Sequence, residues 1–201
     1  MKKILLLLLL FSIVSFSQEK NTTSNNPIIY ADMTLGFSLM NTYSGIGTIN
    51  YQTKNNLFTY RFSELYHITA KDKKWLIVFP FLIFSSALKS REHAFLYGKR
   101  YENNDFSYSF SGGLSYTRYT DNPSLLNPTS LKNSFFGFPF EVNVKWFKSE
   151  KKRFRIYSLI PVGKPTGLGG SFGIKLFGNI SKKSYIGIGL TFGLGYYKNY
   201  N

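Results

Sequence analysis

Large apolar and small polar residues alternate one by one in the middle of the chain. In residues 106–117 one parity carries large side chains: Phe106, Tyr108, Phe110, Leu114 and Tyr116. The other parity carries small residues: Ser107, Ser109, Ser111, Gly113, Ser115 and Thr117. A side-chain period of two belongs to a β-strand. A half-buried strand of a soluble sandwich could alternate in this way, but bulk on one face and tiny residues on the other are typical of a strand whose large side chains face lipid.

The same alternation predicts seven more strands. They cover residues 28–39, 45–53, 57–68, 92–101, 135–147, 168–180 and 185–197. The predicted fold is therefore all-β, a closed antiparallel transmembrane β-barrel of eight strands. Two further segments, 75–86 and 152–162, would raise the count to ten. We interpret 75–88 as a loop, because it is apolar on both parities and has Pro80 near its centre. Either even number places the first and last strand ends of the chain on the same side of the membrane.

The first residues predict export. Met1-Lys2-Lys3 precedes a leucine-rich run, and small residues follow at Ser15-Phe16-Ser17, which is the pattern of a cleaved signal peptide. The alternative, a membrane-anchoring helix, fits less well because the run is shorter than the roughly 20 residues of a span. We expect three regions: a signal peptide at 1–17 with cleavage after Ser17, a disordered segment at 18–27, and an outer-membrane barrel at 28–201. With no cysteine in the chain, neither a disulfide nor a lipid anchor on cysteine is possible.

Charge and aromatic content agree with a membrane location. The chain has 25 Lys and Arg residues against 10 Asp and Glu. Loss of the two signal-peptide lysines lowers its net charge from +15 to +13. Because an exported protein does not meet nucleic acid, we expect anionic lipid headgroups as the partner, although simple solubility charge on loops is the alternative. Aromatic residues make up 18% of the chain, as expected of a barrel with aromatic girdles at both interfaces.

Five charged residues fall on the inward parity of the predicted strands. They are Asp32, Arg61, Glu141, Lys145 and Lys175. Charges inside a narrow barrel are costly unless they are paired. We therefore expect an interior charge cluster that plugs the barrel and fixes strand register. A proton or ion path is the functional alternative.

Other functions have less support from the residues. Eight strands leave room only for side chains, so a small channel would require the ten-stranded alternative. A lipid A-modifying enzyme would need a Ser/His/acid relay, and Ser63, Glu64 and His67 lie close in sequence. A strand, however, puts Glu64 on the opposite face from Ser63 and His67. The only other histidine in the sequence is His93. We predict no catalytic residue, no metal site and no cofactor.

Loops at 69–91 and 118–133 should emerge on one side of the barrel, opposite the short turns at 54–56 and 102–105. This arrangement favours a structural or interaction role.

Several strands resemble those of a known family. The relevant segments are Phe95-Leu96-Tyr97-Gly98, Ser111-Gly112-Gly113-Leu114-Ser115-Tyr116, Gly137-Phe138-Pro139-Phe140-Glu141 and the final hairpin. With the signal ending Ser15-Phe16-Ser17-Gln18, they resemble small eight-stranded outer-membrane β-barrel proteins of the Bacteroidota. The resemblance implies an uncharacterised barrel in the outer membrane of the cell envelope, inserted by the barrel-insertion machinery, and it implies no established activity. We expect a monomer.

Overall fold

The structure is a computed structural model, and it contains ten β-strands within its described residues. Those residues are 26–39, 42–67, 88–120, 132–148, 150, 154–156, 159–162 and 167–199. The strands are β1 (Ile28–Ser38), β2 (Thr42–Thr53), β3 (Asn56–His67), β4 (Leu88–Glu102), β5 (Phe106–Thr120), β6 (Lys132–Phe147), β7 (Phe154–Ile156), β8 (Ile160–Val162), β9 (Gly169–Ser181) and β10 (Tyr185–Gly195). The predicted signal peptide at 1–17 and most of the predicted disordered segment lie outside the described residues.

Eight of these strands close into an antiparallel barrel, which confirms the predicted fold class. Their order around the barrel is β1-β10-β9-β6-β5-β4-β3-β2. Following direct cross-strand partners once around, from Ile28 through every strand, returns to β1 at Ser38. This stagger of ten residues over eight strands implies a tilt of about 40° from the barrel axis.

The ten-stranded alternative is wrong. Strands β7 and β8 pair only with each other, as a separate two-stranded sheet in the connection between β6 and β9. They are three residues each, too short for a membrane-spanning strand. Residues 75–86, the other candidate for an extra strand, lie outside the described residues.

The two ends of the barrel differ. Residues 26–28 and 196–199 lie at one end, which we call the terminal end, together with the turns at 54–55 and 103–105. The connections 39–41, 68–87, 121–131 and 182–184 all leave the other end, the loop end. The predicted long loops thus share one end, but their predicted bounds were too wide, because β4 begins at Leu88, β5 ends at Thr120 and β6 begins at Lys132. The connection 148–168 is an exception to the predicted contrast, because it is long and yet leaves the terminal end.

The alternation in sequence becomes an inside and an outside. On β1, for example, the exposure pattern alternates strictly between buried even-numbered and exposed odd-numbered residues, apart from half-buried Leu35. The outer face carries large exposed apolar side chains on every barrel strand. Tyr51, Tyr101, Tyr108 and Trp146 lie toward the terminal end, and Tyr43, Tyr66, Tyr116 and Phe136 toward the loop end. Two belts of this kind are typical of the aromatic girdles of membrane barrels. Among the described residues no helix is long and apolar enough to cross a membrane.

Small inward residues make room for large ones inside. A Cβ atom on Gly187 would lie 2.7 Å from the ring of Phe177, and one on Gly36 would lie 2.9 Å from it. Phe177 is fully buried, so it fills the space that these two glycines leave. The glycine face of β10 is therefore a packing requirement of a filled interior.

Candidate functional site: the charged interior of the barrel

The five charged residues that the sequence places inward are all buried inside the barrel. Asp32, Arg61, Glu141, Lys145 and Lys175 are each at most 6% exposed. Their strands bring them to two levels along the axis, described in turn below. The alternation of each strand is sufficient to aim these side chains inward, because a strand directs every second residue to the same face.

The first level, nearer the terminal end, is built around Asp32. Lys145 donates to the Asp32 carboxylate from the far side of the barrel. On neighbouring β2, Asn50 Nδ2 donates to Asp32 Oδ2 at 2.9 Å and Thr48 Oγ1 donates to it at 3.2 Å. Lys145 Nζ also lies 4.5 Å from the centroid of the Tyr30 ring. These contacts link β1, β2 and β6 through the middle of the barrel.

The second level lies near the middle of the barrel and is built around Glu141. Its carboxylate is 3.5 Å from Lys175 Nζ and 3.7 Å from the Arg61 guanidinium. Arg61 Nη1 donates to the carbonyl of Phe140 and Nη2 to the carbonyl of Gly178, both at 3.2 Å. A single arginine from β3 thus contacts two strands on the opposite wall, and the lumen at this level is occupied by side chains.

Sequence reasoning missed two members of the network, Glu92 and Arg100. Glu92 accepts from Arg61 Nη2 at 2.7 Å, from Asn179 Nδ2 at 2.6 Å and from the Tyr185 hydroxyl at 2.9 Å. The signal was available in the alternation of β4. Glu92 and Arg100 share its buried parity with Ser90, Ala94, Leu96 and Gly98, whereas the other parity carries His93, Phe95 and Tyr97.

Arg100 organises the terminal end of the lumen. Its Nη1 donates to Gln52 Oε1 at 2.5 Å and to Glu102 Oε2 at 2.9 Å. Its Nη2 donates to the carbonyl of Tyr197 at 2.9 Å. The guanidinium also lies over the rings of Tyr30 and Phe147, 5.1 Å and 5.6 Å from their centroids, within the range of a cation–π contact.

The segment that follows β10 closes this end. Tyr197 lies between two aromatic rings, with centroids 4.9 Å from Tyr30 and 5.4 Å from Phe147. It is 1% exposed. Burial, reinforced by the negative charge of Asp32, raises the pKa of the Tyr197 hydroxyl well above its ordinary value. Tyr197 is therefore a neutral aromatic side chain that fills the lumen at the terminal end.

Together these groups form a ladder of ion pairs along the axis. Each of the four buried cations (Arg61, Arg100, Lys145 and Lys175) has a carboxylate within 4.0 Å. Such pairs offset part of the cost of placing charges in a low-dielectric interior. Removal of one partner is strongly destabilising, because it leaves the other charge buried and unpaired. Chemically, the arrangement is suited to binding strands together and to excluding solutes.

The residues considered for catalysis do not assemble. Ser63 is fully buried inside the barrel, whereas Glu64 lies on the outer face, where it accepts from the Tyr66 hydroxyl and from Arg91 Nε. His93 is also on the outer face, with its Nδ1 2.8 Å from the Tyr60 hydroxyl. The side chain of His67 lies outside the described residues. Among the described residues, no Ser/His/acid relay forms, and no three His, Asp or Glu side chains converge as they would around a metal ion.

Comparisons with known proteins support the fold. No protein-family model matches the sequence, and curated proteins give no significant match. Among solved structures, the crystal structure of the N-terminal β-barrel domain of Pseudomonas aeruginosa OprF is similar, with a TM-score of 0.53 and 10% sequence identity. The similarity covers 88% of this chain and 100% of that chain. At this identity it shows the fold alone, a small β-barrel of the predicted kind. The assignment to the Bacteroidota stays a prediction.

Proposed function

We propose that the protein is an outer-membrane β-barrel with a filled interior, which anchors surface-exposed loops and has a structural or interaction role at the cell envelope. The observation that carries the proposal is the pairing of an apolar outer face with a lumen filled by ion pairs. A lipid environment favours the apolar outer face, and the lumen filled by side chains leaves no water-filled passage.

The outer face supports a location in lipid. Residues such as Met33, Phe95 and Leu114 are more than half exposed along the middle of their strands. In water this area would greatly exceed the apolar patches of a soluble monomer. In a bilayer it is matched to acyl chains, and closure of the sheet leaves no backbone edge unpaired in the hydrocarbon region.

Basic residues at the loop end support binding to lipid headgroups. At the loop end, Arg91 and Arg118 are directly opposed across β4 and β5 on the outer surface. Both lie just beyond the aromatic girdle, where basic side chains are attracted to phosphate-bearing lipids. We propose these lipids and the barrel-insertion machinery as partners, with no role for nucleic acid, and a monomer as the working state.

The proposed orientation of the barrel in the membrane rests on the end at which its first and last strands begin and finish, the terminal end. We propose export with cleavage after Ser17, so that the mature protein begins at Gln18, and a terminal end that faces the periplasm. The loop end, with the connections 68–87 and 121–131, would then face the exterior. Display of these loops is the interaction role that the barrel would support.

Fractionation of the cell envelope tests the proposal. We expect the mature protein in outer-membrane fractions, with a mass that begins at Gln18. Unheated samples should migrate differently from boiled samples in a denaturing gel, because a closed, fully paired barrel resists unfolding by detergent. Recovery as a soluble periplasmic protein would overturn the proposal.

The lipid A-modifying alternative has its own test. We expect the paired variant His67→Ala and His93→Ala, and also a strain without the gene, to give the same lipid A mass spectrum as the wild type. A lipid A species that disappears in both strains, and returns with the wild-type gene, would establish an enzyme instead.

A further inference from the structure

A pocket at the loop end has a composition that neither the ladder nor the lipid-facing surface explains. Its volume is about 220 Å³. We call it the mouth pocket and define it by six of its lining residues: Ser38, Thr42, Thr117, Tyr119, Lys183 and Tyr185. It lies above the ladder, because the hydroxyl of Tyr185 donates to Glu92 at 2.9 Å. In the proposed orientation the pocket therefore lies at the exterior end of the lumen.

Two hydroxyl groups in the mouth pocket are buried without satisfied hydrogen bonds. Ser38 is 6% exposed and Thr117 is 3% exposed. Within the part of the chain that the structure describes, neither Ser38 Oγ nor Thr117 Oγ1 has a hydrogen-bond partner. A buried polar group without a partner is costly, and such groups usually have a ligand or water. Both residues line the pocket, and rotation about χ1 would bring either hydroxyl to a polar molecule inside it.

The rim of the mouth pocket is positively charged. Lys182 and Lys183, in the turn between β9 and β10, both line it, and none of its lining residues is acidic. The turn is held by Ser181, whose backbone nitrogen donates to Ser184 Oγ at 3.0 Å and whose carbonyl accepts from the same hydroxyl at 2.8 Å. Lys183 Nζ lies 5.1 Å from the centroid of the Tyr119 ring. Lys183 is exposed, so its ammonium group is available to pair with an anionic group at the rim.

The size and chemistry of the pocket narrow the ligand class. A volume of about 220 Å³ is below the roughly 300–1,000 Å³ of sites for drug-sized molecules. Aromatic walls pack against the C–H faces of a sugar ring, hydroxyl groups satisfy its hydroxyls, and a lysine pairs with an acidic substituent. We propose that the mouth pocket binds a monosaccharide unit with one acidic group, either a hexuronate or a sugar phosphate. This inference rests on the proposed function, because it takes the loop end as the exterior face.

Titration calorimetry on the folded mature protein in detergent micelles tests this inference. The probes are glucuronate and glucose 6-phosphate, with glucose and inorganic phosphate as partial ligands. We expect saturable binding of both acidic sugars, and affinities for glucose and for phosphate that are at least about tenfold weaker. A glucuronate-terminated oligosaccharide tells a free sugar from the end of a polysaccharide: tighter binding of the oligosaccharide identifies the polysaccharide source, and equal or weaker binding identifies the free sugar.

Variants identify the pocket as the binding site. Lys183→Gln should weaken binding of the acidic sugars about tenfold through loss of a charged contact, with little change for glucose. Thr117→Val should weaken binding of all three sugars about fivefold, and it removes no hydrogen bond that the described residues make. Lys54→Gln, in a turn at the terminal end, is the matched control and should bind like the wild type.

Three results would overturn the inference. They are no saturable binding by either acidic sugar, equal affinity for inorganic phosphate, and unchanged binding by Lys183→Gln. Heat-modifiable migration of each variant shows that it is folded. A folded barrel in the outer membrane without sugar binding would remove this inference and leave the proposed function standing, whereas a soluble protein would remove both.

Discussion

At the scale of single residues, the interior is dominated by the cost of isolated charge. Lys145 and Asp32 reach each other from β6 and β1, which are not neighbours in the sheet. Their side chains are 3% and 2% exposed. In such a setting the net value of the pair is small, but the loss of one partner leaves a buried charge with no compensation.

This asymmetry predicts the behaviour of a mutant cycle. Lys145→Met should lower the free energy of unfolding by about 3–5 kcal/mol, because the Asp32 carboxylate loses its cation. Adding Asp32→Asn should recover at least half of the loss, since an amide can still accept from Asn50 and Thr48. Urea unfolding of the reconstituted barrel, followed by gel mobility, measures each value.

The control for this cycle is Lys148→Met, which changes an exposed lysine just after β6. It should stay within about 0.5 kcal/mol of the wild type. A double variant that is no more stable than Lys145→Met would contradict the argument from uncompensated charge.

At the scale of elements, β10 shows how one strand is adapted to two environments. Its outward residues are large and exposed, for example Ile188 and Leu190. Its inward residues include Gly187 and Gly189, and a Cβ on either would lie 2.6 Å from a backbone oxygen of β1. The strand therefore permits close approach to β1 only because these two inward positions lack side chains.

Alanine substitutions should separate the two faces of the sheet. Gly187→Ala should cost about 1–3 kcal/mol, because the added methyl group meets Phe177 and the backbone of β1. Gly45→Ala, on the outer face of β2, should cost nothing measurable, because a Cβ there has no heavy atom within 4 Å. Both values come from the same urea titration, and equal losses for the two variants would refute this account of the glycine face.

Elements also show how far the sequence could be interpreted. Alternation alone gave the strands and placed charges such as Arg61 inside, because parity is a local property. It missed Glu92 and Arg100, although both lie on the inward parity of the predicted strand 92–101, because polar outward residues such as His93 and Lys99 weaken the pattern there. Alternation could not predict which side chains meet. The contact of Lys145 with Asp32 depends on the stagger accumulated around the whole barrel, and the mouth pocket depends on how the turn at 182–184 meets the loop-end residues of several strands.

At the scale of the whole molecule, the filled lumen predicts that ions do not pass through the barrel. The levels of the ion-pair ladder, with Phe177 beside Glu141, fill the lumen from the loop end towards the terminal end, which Tyr197 closes. An ion that crosses would have to displace paired charges at each level.

The mature protein should therefore produce no discrete conductance steps in planar bilayers. A porin of known conductance, added afterwards to the same bilayer, shows that insertion events are detectable. Recovery of the protein in its unheated, fast- or slow-migrating folded form shows that the sample was a closed barrel. Reproducible steps from such a sample would show that the ladder opens, and would favour the ion-path alternative.

The pairing of β1 with β10 determines when the barrel closes during assembly. These are the first and last barrel strands along the chain, and they pair over nine positions from Tyr30 with Gly195 to Ser38 with Gly187. Closing a loop of nearly the whole chain is slow compared with forming each hairpin. Until β10 arrives, β1 has a free edge, the state in which strands join other chains. The vulnerable period of this protein thus lies before closure, and a chaperone that shields the free edge of β1 during that delay would raise the yield of folded protein more than a substitution that stabilises the closed barrel.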